Sequence, residues 1–175
     1  MSHYQPGILA KPVPLQARHL FFALESAAAL PAALDNLVRL VDGKNAVVGF
    51  GESLVQALGA RVEGLRTFPV VSGPQQALWC WLHGEDRGEL LHRSRELELA
   101  LAPALKRVQM TEAFRHKTGH DLTGYEDGTE NPVDEAALEA GIDRFRRRRW
   151  PARWQLCRDS AVAARPGWFC RPAFP

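Results

Sequence analysis

The apolar positions of the chain come in short blocks with two different periods. His19–Leu24, "HLFFAL", is a continuous apolar run of strand length and predicts a buried strand. Over Ser26–Val41 the spacing changes. Leu30, Leu34, Leu37 and Val41 fall on one helical stripe, and Asp42-Gly43 supplies a stop. Asn45–Gly51, "NAVVGFG", returns to strand character, and Glu52–Leu58 follows as a short helix. After a loop containing Gly64, Pro69 and Gly73-Pro74, Ala77–His83, "ALWCWLH", reads as a third strand with Trp79 and Trp81 on one face. Arg87–Leu105 carries the strongest helical pattern, with Leu90, Leu97, Leu101 and Leu105 on one stripe. Val108–Phe114 is the fourth strand.

This order is β-α-β, an excursion, then β-α-β. It predicts an α+β fold of the ferredoxin-like split type, an antiparallel sheet with two helices on one face. A chain of 175 residues holds one such domain with a proper core. No apolar run reaches membrane-spanning length, and the N-terminus shows no basic region ahead of an apolar core. A cytoplasmic location with no membrane partner is the expectation. Cys80, Cys157 and Cys170 make neither a disulfide framework nor a metal-ligand spacing, and Cys80 sits in an apolar run as a core residue would.

Charge divides the chain. Residues 1–140 hold 13 Lys and Arg against 18 Asp and Glu, a net −5; residues 141–175 hold nine Arg against two Asp, a net +7. Three of the five tryptophans also lie in this second segment. The composition therefore predicts two units, an ordered domain over 1–140 and an irregular tail over 141–175.

One stretch carries candidate chemistry. Asp121–Pro132 reads "DLTGYEDGTENP". Gly124 and Gly128 bracket three residues and permit a positive φ or the close approach of a flat partner. Asp127 then projects from a loop whose N–H groups can bond an anion. Such an acid can serve proton transfer, and the same composition also suits an Asx-type surface turn.

The stretch resembles the G-x-x-D-G signature of the DyP-type (dye-decolourising) haem peroxidases, in particular their bacterial intracellular branch. "EDGTENP" extends the match. "QPGIL" at Gln5–Leu9, "VVGFGESL" at Val47–Leu54 and Phe68-Pro69 agree with it in the same order. The resemblance spans roughly residues 5–140, the first of two ferredoxin-like halves in that family. It implies a haem b cofactor, hydrogen peroxide and a small reducing substrate as reactants, and a homo-oligomer. It implies Asp127 as the distal acid that moves a proton between the two peroxide oxygens. Gly124, Gly128, Thr129 and Glu130 join Asp127 along the haem edge. A non-catalytic ferredoxin-like module for dimerisation or ligand binding is the alternative, and it has no need of the full motif.

The family also needs a proximal histidine beyond the signature. The six histidines here, His3, His19, His83, His92, His116 and His120, all precede Asp127, and none matches that ligand. The segment after residue 141 does not read as family sequence. With permitted codons shifted by one nucleotide, however, Trp154–Ala164 together with the first base of the Arg165 codon encodes Gly-Ser-Phe-Val-Ala-Thr-Ala-Gln-Trp-Leu-His, the family's continuation. The expectation is a chain read out of frame from about residue 141, and so a truncated enzyme with impaired haem binding. The competing readings of Arg146–Arg149 are a solvated charge run and a nucleic-acid tail, of which the latter is disfavoured.

Overall fold

The computed structural model describes residues 6–9, 12–62, 65, 76–126, 129–138 and 140. The elements are α1 (Pro6–Leu9), β1 (Gln16–Leu24), α2 (Leu30–Leu40), β2 (Ala46–Phe50), α3 (Glu52–Ala57), β3 (Leu78–Gly84), α4 (Arg87–Leu101) and β4 (Leu105–Phe114). The four strands form one sheet in the order β2-β3-β1-β4, and every neighbouring pair is antiparallel. This is the ferredoxin-like α+β arrangement expected from the sequence.

Alternation along the strands makes two different sheet faces. Leu20 and Phe22 on β1 and Leu78, Cys80 and Leu82 on β3 point to one face and are buried. Leu30, Leu34 and Leu37 of α2, Leu54 of α3, and Leu90, Leu97 and Leu101 of α4 cover that face and complete one core. Burying these side chains is the main driving force for the fold, at about 1.5–3 kcal/mol for each Leu or Phe. Cys80 is a core residue as expected, and burial pushes its thiol up to about 12, so it stays protonated and inert.

The helix ends follow local chemistry. Asp86 caps α4 by accepting from the Glu89 N–H at 2.7 Å. Ser94, the polar member of the buried α4 stripe, returns its hydroxyl to the Leu90 carbonyl at 2.6 Å and so carries no unmet donor into the core. After α2, the Asp42 carboxylate accepts from the N–H groups of Lys44, Asn45 and Ala46 and turns the chain into β2.

Several boundaries differ from expectation. Val41 lies just beyond α2 in an extended conformation rather than on the helical stripe. Leu105, expected at the end of the long helix, is the first residue of β4. Pro103 explains this: it forces Ala102 into an extended conformation, and α4 stops at Leu101. Strand β1 starts three residues earlier than its apolar run, at Gln16, because Arg18 is buried against Glu112 of β4. The loop glycines and prolines at 64, 69, 73 and 74 lie outside the described residues, as does the tail from residue 141.

Candidate functional site

The signature stretch follows β4. Arg115 donates its N–H to the Leu15 carbonyl at 3.0 Å and its guanidinium to the Val13 carbonyl at 3.2 Å, which pins the end of β4 to the segment leading into β1. Beyond it, residues 120–126 close on themselves. His120 and Glu126 form an isolated antiparallel bridge, and the Asp121 N–H donates to the Tyr125 carbonyl at 2.8 Å.

Asp121 organises this loop. Its carboxylate accepts from the Thr123 hydroxyl at 2.7 Å and from the N–H groups of Thr123 and Tyr125 at 2.9 and 3.0 Å. The Thr123 hydroxyl first, with these backbone donors, holds the Asp121 carboxyl below the usual carboxylate range. Asp121, rather than Asp127, is the acid whose hydrogen bonds shape the described part of this loop. The available signal was an Asp two residues before Thr-Gly, an Asx-turn pattern.

Gly124 has a φ of +100°, the left-handed backbone its position in the motif predicts, and a Cβ there would meet nothing within 4 Å. The loop therefore presents bare, open backbone at this point. Thr129 and Glu130 lie in the exposed turn that follows, with helical backbone over 134–138 after it. Asp127 and Gly128 lie outside the described residues.

The sheet face opposite the helices carries the remaining chemistry-bearing groups. His19, Trp79 and Trp81 stack nearly parallel, with ring centroids 5.8–6.2 Å apart. His83 leans on Trp81 at 4.6 Å. Trp79 Nε1 donates to His19 Nδ1 at 3.2 Å, which leaves the imidazole proton on Nε2. Gly49 lies under this stack: a Cβ there would come within 3.0 Å of the Trp79 ring. The sequence placed both tryptophans on one face; it gave no sign that His19, sixty residues away, joins them.

Burial holds the His19 imidazole below its ordinary value. The folded state therefore disfavours His19⁺ relative to the unfolded chain. Stability from this group is full above the unfolded-state value of about 6.5 and is lost as pH falls through the lower folded-state value. Urea unfolding of wild type and His19→Phe should show this acid-side loss in wild type only. Equal pH slopes in the two proteins would remove the assignment.

No family model matches the chain, and no curated protein matches it. Solved structures do. A dye-decolorizing peroxidase from Bacteroides thetaiotaomicron superposes with a TM-score of 0.64 at 19% identity, over 75% of this chain and 50% of that one. Its fold is that of DyP-type peroxidases, over half their length. A dye-decolorizing protein from V. cholerae gives 0.62 at 24% identity, over 77% and 51% of the two chains. The R244L variant of Rhodococcus jostii DypB, a structure in complex with heme, gives 0.56 at 21% identity, over 74% and 49%. The chain thus spans about half the length of the DyP-type structures it matches.

Among the described residues no group of three or more His, Cys, Asp or Glu side chains is arranged to hold a metal ion. Of the described histidines, His19 is engaged with Trp79 and His92 is exposed on α4. His120 Nδ1 lies 3.3 Å from the Thr118 hydroxyl. The Gly124 backbone faces open space among the described residues. Among the described residues, no helix is long and apolar enough to cross a membrane.

Proposed function

We propose that residues 1–140 form the distal half of a haem-dependent DyP-type peroxidase, which uses hydrogen peroxide to oxidise a small reducing substrate. The observation that carries this reading is a conjunction. A sheet that superposes on DyP-type peroxidases leads directly from β4 into "DLTGYEDGTENP", the loop with left-handed Gly124. Haem b, when bound, would supply the redox chemistry. Gly124, Gly128, Thr129 and Glu130 would line its edge, with the glycines allowing close approach.

Asp127 would take the proton from one peroxide oxygen and deliver it to the other. A carboxylate suits both steps, because it accepts a proton when ionised and donates one when protonated. Asp121 contributes indirectly: its bonds to Thr123 and Tyr125 order residues 121–125, just ahead of Asp127 in the sequence. The same reading places the protein in the cytoplasm.

The axial histidine belongs, in this proposal, to sequence that this chain does not encode in its present frame. Residues from about 141 onward are read one nucleotide out of register, which accounts for the change from net −5 to net +7 at that point. The nucleotide sequence downstream of the Pro132 codon tests this. A one-nucleotide shift should open a frame encoding Gly-Ser-Phe-Val-Ala-Thr-Ala-Gln-Trp-Leu-His, with a histidine available as ligand. Codons for Trp154–Ala164 that do not yield that string would remove the frame-change part of the proposal.

A further inference from the structure

The stacked rings opposite the helices differ in one respect that matters for redox chemistry. Trp79 and Trp81 lie 6.2 Å apart and within 14° of parallel. Their N–H groups differ. Trp79 Nε1–H is hydrogen-bonded to the Nδ1 lone pair of His19 at 3.2 Å. Trp81 Nε1 is buried and has no acceptor among the described residues.

From this asymmetry we propose that Trp79 and His19 form a proton-coupled one-electron donor, a site that gives an electron to a strongly oxidising radical or high-potential centre. The Trp79 indole loses one electron to the oxidant, which is reduced by one electron. The Nε1–H bond of the oxidised indole breaks and an Nδ1–H bond forms on His19. A neutral indolyl radical and an imidazolium result.

Three observations favour Trp79 as the residue that keeps the hole. An oxidised indole is a far stronger acid than the neutral ring, and a hydrogen-bonded neutral imidazole is a suitable base for its proton. A radical cation without a base carries its charge in half-buried surroundings, which is costly, and Trp81 is in that position. Stacking with Trp81 lets the charge spread while the proton moves. Gly49 keeps the arrangement in place, since a side chain there would press on the Trp79 ring.

Among the described strand residues, few that share the sheet face of His19 are charged. The residues that share its sheet face are Ala17, Phe21 and Ala23 on β1, Val47 and Gly49 on β2, and Trp79, Trp81 and His83 on β3. From β4 they are Gln109, Thr111, Ala113 and, at the far end beside Ala23, Lys106. His83 is the other titratable group close to the stack, and Lys106 is turned to Glu25 at 3.9 Å. No carboxylate in this set competes with His19 for the proton.

The inference does not depend on the peroxidase reading, because an inorganic oxidant tests it. Azidyl radicals generated by pulse radiolysis oxidise tryptophan directly. The parent for the experiment is the full chain carrying Trp150→Phe, Trp154→Phe and Trp168→Phe, which leaves Trp79 and Trp81 as the only indoles. The transient spectrum of this protein should be that of the neutral indolyl radical, formed with a solvent deuterium effect. His19→Phe should shift it to the radical cation and abolish the deuterium effect. Trp79→Phe should do the same, leaving only Trp81 to be oxidised. The parent alone provides a further check that needs no substitution in the fold: on acidification that protonates His19, its spectrum should move to the radical cation. A neutral radical with an unchanged deuterium effect in His19→Phe, or an unchanged spectrum in the acidified parent, would overturn the proposal.

Discussion

Phe22→Ala lowers the unfolding free energy by about 3–5 kcal/mol. Phe22 is fully buried in the second half of β1, in one core with leucines supplied by both α2 and α4. Its backbone is held on either side, with the Phe22 carbonyl accepting from the Ala77 N–H at 2.8 Å and Arg107 paired across β4. The strand therefore cannot slide to fill the space left by the ring. The lost transfer energy and the residual cavity add together. Phe114, at the exposed end of β4, gives the contrast: Phe114→Ala should change stability by less than about 0.5 kcal/mol. Urea unfolding of the two variants should separate them by midpoint at similar slope. Equal midpoints would mean that the core is not centred on β1.

Asp127→Asn should slow the reaction with hydrogen peroxide by about 10²- to 10⁴-fold, the usual share of a positioned acid–base group. Asparagine keeps the size and the hydrogen-bonding reach of the side chain but cannot hold the transferred proton. Glu130→Gln should have a much smaller effect, because the proposal gives Glu130 a place at the cofactor edge and no proton to move. Stopped-flow mixing with peroxide, applied to the product translated in the shifted frame, separates the two. If Glu130→Gln cost as much as Asp127→Asn, the assignment of the acid would be wrong.

The sequence made most of this fold legible because its apolar spacing is unambiguous. Leu30, Leu34 and Leu37 mark the buried stripe of α2, and Leu78, Cys80 and Leu82 alternate with Trp79 and Trp81 along β3. It misled where a polar residue is buried or where a breaker interrupts a good pattern. Arg18 reads as loop, yet it is buried in β1 because Glu112 meets it from β4. Leu105 continues the stripe of α4 by spacing, yet Pro103 has already ended the helix.

The candidate site rests on resemblance rather than on pattern. Gly124 takes a positive φ, one of the two uses its sequence position permits. The role of Asp121 and the tie between His19 and Trp79 were not foreseen. The first is a local hydrogen-bonding choice among several acids in one loop. The second is set by strand register across sixty residues, and no short motif encodes that.

We propose that residues 1–140 supply one side of a haem peroxidase site and that the iron's axial ligand is encoded in the shifted frame. Titration with hemin, followed by addition of hydrogen peroxide, tests it most directly. The 175-residue chain should give no stoichiometric, histidine-ligated Soret band. The product of the shifted frame should bind one hemin per chain and turn over peroxide. A stoichiometric histidine-ligated band and peroxidase turnover from the 175-residue chain itself would contradict the account, as would a shifted-frame product that binds no hemin.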